Sequence, residues 1–147
     1  MTVWDPVQIV VGVDGSEQSI RAARVAAGMA KAQASRLHIV TVVRPPEGWW
    51  GVVGSPPPAE ALSASMERAQ RSVLDKTLAA IDTDGVEVVA TEEIGDPSSA
   101  LSAYCEQVGA GLLVVGRRGA GVVERLVLGS VADRLAHHAP CALMVVP

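Results

Sequence analysis

The sequence predicts an α/β fold in which helices cover both faces of a five-stranded parallel sheet. Three observations predict it. Short apolar runs rich in β-branched residues recur five times along the chain. Between them lie segments whose apolar residues repeat at helical spacing, and most junctions carry Gly, Pro, Asp or Ser, which end strands and begin helices. Strands that alternate with helices call for parallel pairing through right-handed crossovers, and strands apolar on both sides call for cover on both faces.

The first run, Val7 to Val13 (VQIVVGV), is apolar on both sides. Asp14-Gly15-Ser16 ends it, with Ser16 placed to cap a helix and Glu17 in the first turn. Ile20, Ala23, Ala27 and Ala30 then recur at helical spacing to about Ala34, with Arg21, Arg24 and Lys31 among the polar positions, so an alanine-rich helix lies close against the sheet. Leu37 to Val43 (LHIVTVV) is the second strand. Arg44 to Pro58 has five prolines, three glycines and the pair Trp49-Trp50, which excludes a regular element. It is a long loop whose tryptophans are either a plug that pins it to the body or a lid over a ligand or partner. From Ala59 to about Asp82 a long helix shows one face through Leu62, Met66, Ala69, Val73, Leu74, Leu78 and Ile81. Asp84-Gly85 stops it. Val86 to Glu93 is a more polar strand, as an edge strand is, with Glu92-Glu93 as an exposed end. Asp96-Pro97 starts a helix, cap followed by proline, whose apolar face is Leu101, Tyr104, Cys105 and Val108. Leu112 to Val115 is the fourth strand. Val131 to His138 is a short helix, with Ser130 as cap and Asp133 completing an approximate capping box. Pro140 breaks it, and Ala142 to Val146 is the last strand.

A chain of 147 residues is one domain by default, spanning 1–147, and is long enough to bury a core. Hydrophobic residues at 49% against 19% charged exclude a disordered chain. A net charge of −4 gives no footprint for nucleic acid. No apolar run approaches the roughly 20 residues of a membrane span, and the first residues lack the basic flank of a signal peptide; the expected location is the cytoplasm. Cys105 and Cys141, read as interior helix and strand positions, are then reduced core residues rather than a disulfide or metal pair.

One stretch carries chemistry. Leu112 to Leu135 runs from a buried strand through Gly116, Gly119 and Gly121, interleaved with Arg117 and Arg118, to Gly129-Ser130 at a new helix. Glycine admits a ligand close to the backbone, and the first turn of a helix presents unpaired N–H groups, so the stretch reads as an anion site for nucleotide phosphates. Arg117 and Arg118 either add positive potential or are solvated surface; Arg125 reads as surface. Val122-Val123 after Gly121 excludes a Walker A loop, and G-x-G-x-x-G is absent. In parallel sheets ligands sit beyond the carboxyl ends of strands, where strand order reverses. If the first and fourth strands are neighbours, Asp14-Gly15 and the Gly116 loop face one crevice. Asp14 has a plainer reading as a turn residue that begins the first helix. His38 reads as a packed strand histidine. His137 and His138 lack metal-ligand spacing and read as helix-end residues. No catalytic triad or metal cluster emerges.

The remaining spacing, Gly116-x-x-Gly119 followed by nine residues and Gly129-Ser130, resembles the G-x2-G-x9-G-S/T signature of ATP-binding universal stress proteins. The likeness extends through VVGVDGS at Val10 to Ser16, LHIVTVV at Leu37 to Val43, GDPSSAL at Gly95 to Leu101, LLVVGRRG at Leu112 to Gly119, LGSVADRL at Leu128 to Leu135 and the terminal ALMVVP. It implies a Rossmann-like sheet in order 3-2-1-4-5 and a homodimer paired through the last strand, Ala142 to Val146. It also implies a site for ATP, or for ADP, AMP or cyclic AMP, with Mg2+ on the phosphates. By the same likeness Asp14 would contact the ribose or adenosine and Val42 would meet the adenine edge through its backbone. Val115 and Gly116 would flank the ribose, and Gly119, Gly129, Ser130 and Val131 would hold the phosphates. Val13 and Arg118 are counted among the nucleotide-binding positions. The chain departs from a frequent family pattern at Arg44, where an acidic residue often follows the second strand. The function this implies is a stress-response regulator with little or no hydrolysis, since no general base emerges. The alternatives are a dimeric interaction module independent of nucleotide and a slow ATPase.

Overall fold

The computed structural model describes residues 4–45, 59–118 and 128–147. Five strands and four helices alternate: β1 (Gln8–Val13), α1 (Glu17–Gln33), β2 (Arg36–Val43), α2 (Ala59–Ala80), β3 (Val88–Ile94), α3 (Pro97–Val108), β4 (Leu112–Gly116), α4 (Ser130–His138) and β5 (Ala142–Val146). All strand pairs are parallel, and the order is β3-β2-β1-β4-β5. The expected architecture and strand order are both present. β1 lies between β2 and β4, with Ile9 opposite Leu37 on one side and Leu112 on the other.

Alternation along β1 builds two cores. Ile9, Val11 and Val13 face α1 and α2 with Leu37, Ile39 and Val114. Val10 faces α3 and α4 with Val40, Leu113 and Val115. Central strands are buried on both sides, whereas β3 alternates half-buried and exposed residues, as an edge strand does.

Local signals account for most boundaries. Ser16 caps α1 by accepting from Ser19 N–H at 3.2 Å. Asp96 caps α3 ahead of Pro97. Two expectations are corrected. α4 begins at Ser130 with Gly129 as its cap, and the Asp133 N–H bonds to the Gly129 carbonyl at 2.9 Å, so there is no Ser130–Asp133 capping box. The buried stripe of α2 includes Gln70 and Thr77, while Ala69 is exposed and Met66 is half-buried. Counting apolar residues missed these two because each satisfies its polar group on backbone. Gln70 donates to the Glu93 carbonyl at 2.7 Å, and the Thr77 hydroxyl donates to the Val73 carbonyl at 2.8 Å. The side chain of Leu62 and the Trp49-Trp50 loop lie outside the residues described.

Both cysteines are free thiols, Cys105 buried in α3 and Cys141 just before β5 rather than within it. Burial pushes the Cys105 thiol up to about 12. Among the described residues no helix is long and apolar enough to cross a membrane.

Candidate functional site

Strand order reverses between β1 and β4, and a cleft of about 440 Å³ opens there beyond the carboxyl ends of the strands. Its size suits a small-molecule site. Val13, Asp14, Val42, Val115, Gly116, Arg118, Gly129, Ser130 and Val131 all line it. Gly119 lies outside the described residues, as do Gly121 and Arg125.

The β1 side is a tight turn. Asp14 Oδ1 accepts from the Ser16 N–H at 2.9 Å, and the Ser19 hydroxyl accepts from the Asp14 N–H at 3.3 Å. Gly15 has φ of +85°, a left-handed conformation that favours glycine. Lys76 of α2 donates to the Gly15 carbonyl at 2.8 Å, fixing the turn from the other face of the sheet. Asp14 is therefore a turn residue and a cleft residue at once.

The β4 side is held by backbone. The Arg117 N–H donates to the Val146 carbonyl at 2.7 Å, continuing the β4–β5 ladder past Gly116. The Gly129 N–H donates to the Arg117 carbonyl at 2.8 Å, so the chain leaves β4 and re-enters α4 at adjacent points. Ser130 and Val131 are the first two residues of α4, and N–H groups in the first turn have no partner within the helix. They open on the cleft together with the positive end of the helix dipole. The Nε of Arg117 is buried and has no hydrogen-bond partner among the described residues. Gly116 must be small, because a Cβ there would stand 3.0 Å from the backbone carbon of Gln18.

The opposite wall comes from β2 and α3. Val42 lies near the end of β2, and Arg44 follows it, also lining the cleft with Pro97 and Leu101. Arg44 Nη2 donates to Asp96 Oδ1 at 2.9 Å, and Arg134 Nη1 of α4 donates to the same oxygen at 3.2 Å. The Ser98 hydroxyl, then the Ser99 N–H, hold the Asp96 carboxyl below the usual carboxylate range, with Arg44 adding to the effect.

Reading the sequence alone missed Gly12, Ser19, Val40, Pro97, Leu101 and Ala132 as cleft residues. Gly12 left a signal, since glycine inside a buried strand marks a close approach; a Cβ there would meet Leu101 Cδ1 at 2.8 Å. The others have only tertiary reasons to be there. Among the described residues no group of three His, Cys, Asp or Glu side chains could hold a metal.

His38 stands apart from the cleft in a buried polar chain. Its Nδ1 is 2.8 Å from the Tyr104 hydroxyl, its Nε2 is 2.6 Å from Gln8 Oε1, and Tyr104 continues to the Thr91 hydroxyl at 3.1 Å. Burial lowers the pKa of His38, and the nearby Arg36 charge lowers it further.

Comparison with known proteins agrees with this architecture. The sequence model described as the universal stress protein family matches residues 8–147. A universal stress protein of Methanocaldococcus jannaschii is 30% identical over 146 residues, which is 95% of this chain and 81% of that one. The structure of a universal stress protein from Lactobacillus plantarum superposes with a TM-score of 0.77 at 22% identity, over 100% of both chains. A universal stress protein solved in complex with cAMP superposes with a TM-score of 0.67 at 28% identity, over 97% of this chain and 98% of that one.

Proposed function

This chain belongs to the universal stress protein family, and from that premise we propose that it is a cytoplasmic regulatory protein that binds an adenine nucleotide, ATP foremost, in the cleft between β1 and β4. The observation that carries the proposal is the convergence there of the open N-terminus of α4 and the Arg117 and Arg118 side chains on one side, with the Asp14 turn and the end of β2 on the other. The first pair suits phosphates and the second suits a sugar and base. A relative of similar fold was solved with cAMP, which supports an adenine nucleotide as the ligand class. Val13, Asp14 and Val42 would meet the nucleoside, and Val115 and Gly116 the ribose. Arg118, Gly119, Gly129, Ser130 and Val131 would take the phosphates. Mg2+ would arrive on the nucleotide, with phosphate oxygens as its main ligands. Hydrolysis would be slow, since among the described residues the phosphate side of the cleft carries no carboxylate or histidine.

Thermal shift and calorimetry with ATP, ADP, AMP and cyclic AMP, with and without magnesium, test this reading. A ligand present at 100 times its Kd stabilises the native state by about 2.7 kcal/mol. Ser130→Ala should raise the Kd for ATP roughly tenfold to a hundredfold, the range of one charge-assisted hydrogen bond. No shift with any of the four nucleotides sinks the proposal.

A second reading concerns assembly. β5 is an edge strand with residues from Leu143 to Val146 half-buried in the single chain. We propose that two copies pair through Ala142–Val146. Sedimentation should give a dimer mass, and Val145→Pro, which removes an N–H on the edge facing away from β4, should give monomers.

A further inference from the structure

The cleft has walls that come from distant parts of the chain, and one carboxylate joins the β2–α3 wall to α4, the helix that opens from the β4 side. We infer that Asp96 is a positioning residue for the cleft, its carboxylate bridging the wall at the end of β2 to the helix that opens on the opposite side. The inference rests on the nucleotide reading of that cleft.

The two oxygens of Asp96 divide the work. Oδ2 does the capping: it accepts from the Ser98 hydroxyl at 2.7 Å, the Ser99 N–H at 3.1 Å and the Ser99 hydroxyl at 3.1 Å. Oδ1 takes no part in the cap. It accepts instead from Arg44 at 2.9 Å and Arg134 at 3.2 Å. Arg44 follows β2 and lines the cleft itself. Arg134 lies one turn into α4, the helix whose first residues line the other side, and it does not itself line the cleft. The helix that Asp96 caps contributes Pro97 and Leu101.

Capping alone does not call for this arrangement. Asn and Ser cap as well as Asp, so nothing at the helix end requires a charge. The charge is needed at Oδ1, where two guanidinium groups converge. Without it they would repel each other, and the end of β2 and α4 would be pushed apart. The groups are partly exposed, with Asp96 32% and the arginines 60% and 59% accessible. The effect on affinity is therefore modest, about three- to tenfold in Kd.

Two substitutions at one position separate the roles. Asp96→Asn keeps a capping oxygen and loses the charge, so it should lower the melting temperature of the ligand-free protein less than loss of the cap does, while raising the Kd for ATP about three- to tenfold. Asp96→Glu keeps the charge on a side chain that caps poorly, so it should lower the melting temperature and retain more of the affinity. Arg134→Ala should reproduce the Asp96→Asn loss and add nothing when combined with it. Wild-type affinity in Asp96→Asn, or losses that add in the double variant, overturns the inference. Absence of any nucleotide binding by the unaltered protein overturns the nucleotide reading, and this inference with it.

Discussion

The two faces of the sheet are packed by different means. On one, α1 sends five alanines, Ala22, Ala23, Ala26, Ala27 and Ala30, into the core. Short side chains let the helix approach so closely that a Cβ on Gly116 would press on the backbone of Gln18. On the other, α3 and α4 bury larger residues, Leu101, Tyr104, Cys105 and Leu135, and the cleft opens beyond the strand ends. That face also carries the polar chain from Gln8 to Thr91. The difference teaches where a parallel sheet keeps its binding capacity: one face is closed by small residues, and the other keeps unfilled volume and buried polarity.

The sharpest way to break this contrast is to enlarge one alanine on each face. Ala26→Leu should cost about 1–3 kcal/mol in urea unfolding, because the helix has no room to accept it. Ala132 is equally buried but borders the cleft, so Ala132→Leu should cost less stability and abolish the thermal shift with ATP. Equal stability losses at the two sites would erase the distinction.

Next in size is the polar chain. Tyr104→Phe leaves His38 Nδ1 and the Thr91 hydroxyl without that partner and should cost about 1–2 kcal/mol. Acid should find the same weakness. Burial first, then Arg36, lowers the His38 pKa from its ordinary 6.5, so the unfolded chain binds the proton more readily than the native one. This contribution is fully present above pH 6.5 and is lost as the pH falls through the lower native value. Between pH 7 and pH 5 the stability of His38→Gln should therefore fall less steeply than that of the wild type; parallel curves would remove His38 from the account. The smallest effect belongs to the exposed pair of Arg36 and Glu87, 2.9 Å apart. Glu87→Gln should change stability by less than about 1 kcal/mol, and by less still in high salt.

What could be read in advance divides along the same line. Elements with a strong local pattern, such as the alanine stripe of α1 or Asp96-Pro97, were legible because their causes lie within a few residues. That Gly116 and Gly129 line the cleft was legible because a glycine at a strand end and another before a helix mark places where the backbone can be approached closely. Gln70 and Thr77 were not, since a polar residue is buried only when a backbone carbonyl stands ready to receive it, and that depends on packing. Ser130 as a cap was a reasonable reading of its type, yet the bond from Gly129 to Arg117 shifts the helix start by one residue. Pro97 and Leu101 reach the cleft only because α3 crosses the sheet beside it, which no short-range pattern encodes.

The position of β1 has a consequence for how the molecule is made. Its partner on one side, β2, follows soon after it, and Gln8 pairs with Arg36. Its partner on the other side is β4, where Ile9 pairs with Leu112. During synthesis from the N-terminus, one edge of an almost wholly apolar strand must wait, unpaired, through the production of two more helices and another strand. The cleft does not exist until that wait ends. Any ligand of the cleft can therefore reward only a finished sheet, and the hazard it leaves uncovered is the nascent chain, where chaperones have the most to protect.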